Sequence, residues 1–192
     1  MTQNFHRDCC RLTFSLAAPE RLDPRIALNQ ALATSDERIV LETILQSIPY
    51  SGFPGAVEAL SWLREDIPDK GPRDPHSPAR DVFEEVYGVA QEKVTLQLRR
   101  GHPDLEKWIR EFAYETVMKS SPWETVYLEY LAISSLLGQS RMTPFHSHLR
   151  GALRCGATQT ELAGILDHLK DVAQPESWEK AQNILKLETQ DL

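Results

Sequence analysis

The chain is predicted to be all-α, a compact antiparallel bundle of about eight or nine helices. Three features carry this. Apolar residues recur at helical spacing along most of the chain, short alternating strand runs are missing, and capping residues and prolines punctuate the segments.

The first elements are a short buried stretch from Leu12 to Ala18 and an amphipathic one from Pro24 to Ala33. Ile39, Val40, Ile44 and Leu45 then mark a helix over Asp36–Ser47, and another runs over Pro54–Leu63. Gly52 and Pro54 in the turn Tyr50-Ser-Gly-Phe-Pro separate the two. From Arg64 to Asp81 the prolines 68, 72, 75 and 78 exclude a helix. This segment reads as an exposed linker, or as a loop over an active-site mouth or subunit seam, with His76 solvated. A long helix over Asp81–Arg99 is expected next, burying Val82, Phe83, Val86, Val89, Ala90 and Val94 on one face. After His102-Pro103 the stripe Leu105, Trp108, Ile109, Phe112, Ala113 and Val117 reads as core, with Glu106 and Glu115 solvated.

The stretch Ser121–Leu169 has the clearest boundaries. Ser121, Pro122 and Glu124 form a capping-box pattern, and Thr143 with Pro144 repeats the cap-and-proline device. Gly156 suits the left-handed position that ends a helix, and Thr158 with Glu161 caps the following one. Between Val126 and Leu137 almost no polar face remains, which predicts burial and strands one carboxylate, Glu129, inside it. His146 and His148 on the next helix are its candidate partners. A Glu–His pair across packed antiparallel helices reads either as an acid/base site or as a satisfied polar pair that orients the helices.

The first part of the chain also echoes the last. LTFSLAA matches LAISSLL, ALNQALATSDERI matches ALRCGATQTELA, and ILQSI before Pro54 matches ILDHL before Pro175, at an offset of about 120 residues. A degenerate internal duplication follows from this, with Cys10 opposite Glu129 and residues 23–25 opposite His148. Any site therefore belongs to the second copy. The expected organisation is residues 1–64 as an N-terminal half-unit, 65–80 as linker and 81–192 as the complete unit, packed as one domain.

At 192 residues, 41% hydrophobic and 26% charged, the composition is that of an ordinary globular protein. A net charge of −7 argues against a nucleic-acid surface, and no apolar run approaches the roughly 20 residues of a membrane span. The first twenty residues lack the order of a signal peptide, so a cytoplasmic location is expected. Three cysteines, two of them adjacent, form neither a disulfide framework nor a Cys-x-x-Cys centre and read as structural thiols. No metal or cofactor is called for.

PFHSHLRGALRCGATQTEL, the helix YLEYLAISSLLG, the segment Pro103–Val117 and the junction IPYSGFPGAVEAL together resemble the carboxymuconolactone decarboxylase family. FEEVYG is similar to the segment that opens the second unit of its tandem members. The resemblance implies an antiparallel helical core assembled into rings, commonly trimers or hexamers. Exposed sides of so many apolar helices support a homo-oligomer on physical grounds as well. In the related alkylhydroperoxidase-like proteins a Glu precedes a Cys-x-x-Cys-x-x-x-His motif. Aligned on His148, Arg141 and Pro144 stand where the thiols would be, while Glu129 takes the acid position. Thiol peroxidase chemistry, which needs a thiolate, is therefore not expected. The resemblance instead implies decarboxylation or proton transfer on a small unsaturated carboxylactone. In that scheme His148 is proton donor, Glu129 its orienting partner, and Arg141 or His146 the anchor for the substrate carboxylate. Leu128 stands where the family often has Arg, which departs from its substrate contacts. A non-catalytic helical oligomer is the contrasting expectation.

Overall fold

The computed structural model describes residues 7–63, 75–77 and 79–190. They contain helices and connections and no strand, which is the all-α bundle expected from the sequence. The elements are α1 (Arg7–Ala17), α2 (Pro24–Thr34), α3 (Glu37–Trp62), α4 (Val82–Tyr87), α5 (Gln91–Gly101), α6 (Pro103–Trp108), α7 (Thr125–Gly138), α8 (Met142–Arg154), α9 (Gln159–His168) and α10 (Pro175–Glu188). Residues Ile109–Met118 continue α6 as a wide π-helical stretch, in which Lys119 N–H reaches back five residues to Tyr114 C=O at 2.9 Å.

The centre of the bundle is α1 against α7. Phe14, Leu131, Ile133 and Leu137 are buried there, each side chain contributing about 1.5–3 kcal/mol on leaving water. Gly138 lets the backbones close: a methyl group there would lie 3.0 Å from Phe14 C=O and 3.2 Å from Ala18 Cβ. Thr13 Oγ1 donates to Leu131 C=O and Ser135 Oγ to Thr13 C=O, both at 3.4 Å, so the polar atoms in this apolar seam are satisfied across it. α1 serves two cores. Cys9, Cys10 and Phe14 face the large one with α7–α10, while Leu12 and Leu16 face a smaller one with α2 and α3. α1 and α7, which carry the similar stretches LTFSLAA and LAISSLL, pack on each other.

The break expected between two helices at Gly52 is present: Gly52 is non-helical at φ +77 and kinks α3 into two helical parts within Glu37–Trp62. Other local readings need correction. The long helix over 81–99 is divided at Gly88, whose φ of +48 no β-carbon favours; a short 3₁₀ turn (Gly88–Ala90) joins α4 to α5. Val89 consequently points fully to solvent. The stripe read as core splits: Val117 is buried and Ile109 and Ala113 are half-buried, but Leu105 and Trp108 on α6 are exposed, as is Phe112 in the π-helical stretch, where the wider turn departs from the 3.6 period. Glu106, expected in solvent, is buried between Arg99 (3.1 Å) and Arg110 (3.9 Å).

Boundaries shift too. α7 begins at Thr125, and Ser121 Oγ accepts from Trp123 N–H at 3.2 Å in the preceding turn instead of capping the helix. α8 begins at Met142 after Arg141, so Thr143 and Pro144 lie inside its first turn. The Thr158–Glu161 capping box and Gly156 at φ +100 are as read. Of the expected linker, residues 64–74 and Pro78 lie outside the described residues. Its end is anchored: His76 N–H donates to Ser121 C=O at 2.8 Å, and buried Arg80 donates to the carbonyls of Trp123, Met118 and Ser121.

Candidate functional site

α7 and α8 are neighbours joined by a turn of three residues, with Ser140 at φ +58. Glu129 sits mid-way along α7 with no exposed surface, and His148, 7% exposed, projects from α8 toward it. His148 Nδ1 lies 3.1 Å from both Glu129 oxygens. Such a contact to a carboxylate holds a proton on Nδ1 and fixes the ring's orientation. Nε2 has no hydrogen-bond partner among the described residues. The ring lines a partly enclosed cavity of about 350 Å³ between α3, α4, α5, the π-helical stretch and α8.

That cavity is walled by Val94, Leu98, Ile109, Ala113 and Pro49, and by the phenols Tyr50, Tyr87 and Tyr114. Tyr114 Oη donates to Tyr87 Oη at 2.9 Å, and the Tyr50 ring meets His148 edge-on with centroids 5.8 Å apart. Burial, and then the Glu129 charge, push the Tyr50 hydroxyl well above its ordinary pKa. Tyr87 is raised to about 12, chiefly by burial. All three therefore keep their protons at any physiological pH.

Gly151 on α8 completes the site. A β-carbon there would overlap Glu129 Oε2 and lie 2.8 Å from Val86 Cγ1, so only glycine leaves room for the carboxylate against the α8 backbone.

The structure brings together Glu129 and His148 and leaves the two proposed anchors elsewhere. His146 faces α10, where Nε2 pairs with Glu188 Oε1 at 2.7 Å, because it lies two residues from His148 and so across the helix. Arg141 precedes α8, is exposed, and does not line the cavity. The thiols are not there either. Cys9 and Cys10 are fully buried, and burial pushes Cys10 up to about 12. Cys155, also raised to about 12 chiefly by burial, borders a larger open hollow of about 750 Å³ with Arg80, Glu85 and Arg154. That hollow lacks the Glu–His pair.

No family model matches the chain. Over 136 residues it is 28% identical to Peroxisomal protein 2 of Schizosaccharomyces pombe. The match covers 63% of this chain and 62% of that relative, so the chain spans less than two thirds of the relative's length.

The sequence reading missed the tyrosines and Gly151. In the sequence Tyr50 stands out only within the turn and junction IPYSGFPGAVEAL, and Tyr87 and Tyr114 only as parts of FEEVYG and of Pro103–Val117. Their one sequence signal is a hydroxyl on aromatic residues within apolar helical stripes, where a polar tip needs a partner.

Proposed function

We propose that the protein is an acid–base enzyme that moves a proton on a small unsaturated lactone or related conjugated carbonyl compound. The expectation of a carboxymuconolactone decarboxylase-like activity is kept in this form. One observation carries it: an imidazole held at Nδ1 by a buried carboxylate lines a cavity with Nε2 unpaired. Glu129 fixes the tautomer and stabilises the imidazolium that forms when Nε2 takes a proton from carbon. Returning that proton to another carbon of the conjugated system completes an isomerisation. On a substrate bearing a suitably placed carboxylate, the same proton delivery completes a decarboxylation. Because neither Arg141 nor His146 lines the cavity, proton transfer is favoured over carboxylate-anchored decarboxylation.

The test is hydrogen–deuterium exchange at the acidic carbon of a β,γ-unsaturated γ-lactone, followed by NMR in D₂O. Wild-type protein should catalyse exchange and double-bond migration, and H148Q should not. Equal rates for the two proteins would overturn the proposal, as would exchange no faster than buffer.

The non-catalytic reading rests on Glu129 itself, which is fully buried and satisfied by His148, as a helix-orienting pair would be. Assembly into a homo-oligomer, a trimer or hexamer, is proposed on the exposed Phe53, Val57, Trp108 and Phe112, with Phe53 and Phe112 already 5.4 Å apart. Light scattering that returns a monomer mass would end that part. Among the described residues no helix is long and apolar enough to cross a membrane. A cytoplasmic location is proposed, and the name of the yeast relative makes the peroxisome the compartment to test against it by cell fractionation.

A further inference from the structure

The cavity wall next to His148 offers hydrogen-bond donors that the protein does not use. Tyr114 donates to Tyr87, so the Tyr87 hydroxyl acts there as acceptor and keeps its own proton for another group. The Tyr50 hydroxyl has no hydrogen-bond partner among the described residues, though its ring is fixed against His148 and its C=O accepts from Gln139 Nε2 at 2.8 Å. A phenol on a cavity wall with a proton that no protein group accepts is free to donate it to a ligand. No arginine or lysine is among the described residues that line the cavity, and the Glu129 carboxylate lies behind His148.

We infer that the cavity binds a flat conjugated carbonyl compound carrying at most one negative charge, with its oxygen held by the hydroxyls of Tyr50 and Tyr87. This deepens the acid–base reading and rests on it. When His148 Nε2 takes the proton from carbon, the C–H electron pair moves through the conjugated system onto that oxygen. Two neutral phenols stabilise the resulting oxyanion without a counter-cation, and the proton then passes from the imidazolium to the far carbon. Because burial and Glu129 hold both phenols protonated, they act as donors and do not compete as bases. The aliphatic side chains and ring faces around them suit a flat ligand, and about 350 Å³ suits a small one. A dicarboxylate would bring a second charge into a site with a single titratable cation and a carboxylate close by, and is excluded on that account.

The probe is 4-nitrophenolate, a flat ring with one charged oxygen, titrated against the full chain by its absorbance. Saturable binding is expected, weakened about tenfold or more in each of Y50F and Y87F, the loss of one hydrogen bond to a charged group. Y127F, a tyrosine outside the cavity, should bind as wild type. Benzene-1,4-dicarboxylate should fail to displace the probe. If Y87F does not fold, Y114F is read instead, since it removes the hydrogen bond that positions Tyr87. No saturable binding, equal binding by the phenylalanine variants, or efficient competition by the dicarboxylate would each overturn the inference. The two readings fail separately. Exchange that depends on His148 with binding indifferent to the tyrosines sinks this inference alone. Tyrosine-dependent binding with no catalysed exchange sinks the acid–base reading and leaves the ligand class standing.

Discussion

Gly151 on α8 and Glu129 on α7 touch so closely that the carboxylate occupies the space a side chain would need. The absence of a β-carbon at one position thus decides where a buried charge can sit at another. G151A should force Glu129 or Val86 aside and lower stability by about 1–3 kcal/mol, as overpacking does. It should also disturb the His148 ring. Denaturant melts and the His148 imidazole NMR signals check both; an unchanged imidazole spectrum would show that the glycine is not needed for the pair.

Replacing the pair separates its two readings. E129Q keeps the shape but loses the charge that faces His148 Nδ1 at 3.1 Å. If the pair is catalytic, lactone exchange should fall roughly a hundredfold or more. If it is structural, E129Q and H148A should each cost about 1–3 kcal/mol with no ligand affinity altered. Melting and exchange measured on the same samples decide.

Thiol chemistry should be negligible. With Cys10 and Cys155 raised to about 12, hardly any thiolate exists at pH 8, and Cys9 is fully buried. Iodoacetamide should label Cys155 far more slowly than a free thiol, and Cys9 and Cys10 only on unfolding. Hydroperoxide turnover should be the same in the wild type and a variant lacking all three cysteines.

Arg80 pins the end of the Pro-rich segment to the corner before α7 through three carbonyls, with Nη1–O and Nη2–O distances of 2.6 Å to Trp123 and Met118. R80K keeps a charge but loses the planar fork, and should cost about 1.5–3 kcal/mol. Urea unfolding at constant m-value would check it.

The phenols predict an alkaline limit. Folding raises Tyr50 and Tyr114 well above the ordinary 10.0, by burial first, so the folded protein holds protons that the unfolded chain releases. Stability from these groups is complete below pH 10 and declines as pH rises toward the folded values. Y114F should flatten that decline. Melting temperatures between pH 8 and 11 measure the difference.

Legibility in the sequence followed how local the determining physics was. Helical periodicity, the Thr158–Glu161 box and Gly156 were readable because capping and apolar spacing act within one or two turns. Burial of Glu129 was readable too, since a helix apolar on all sides has nowhere to put a carboxylate but inside. Helical spacing alone left His146 and His148 both open, since which face of α8 meets α7 and which meets α10 is a tertiary matter; the family resemblance singled out His148. The cavity was not readable. Its wall is assembled from α3, α4, α5, the π-helical stretch and α8, where residues as distant as Tyr50 and His148 become neighbours. The sequence by itself determined an all-α bundle with a buried acid. Tertiary packing decided what faces that acid and what space lies beside it, because contacts between helices depend on their relative rotation, which no single helix encodes.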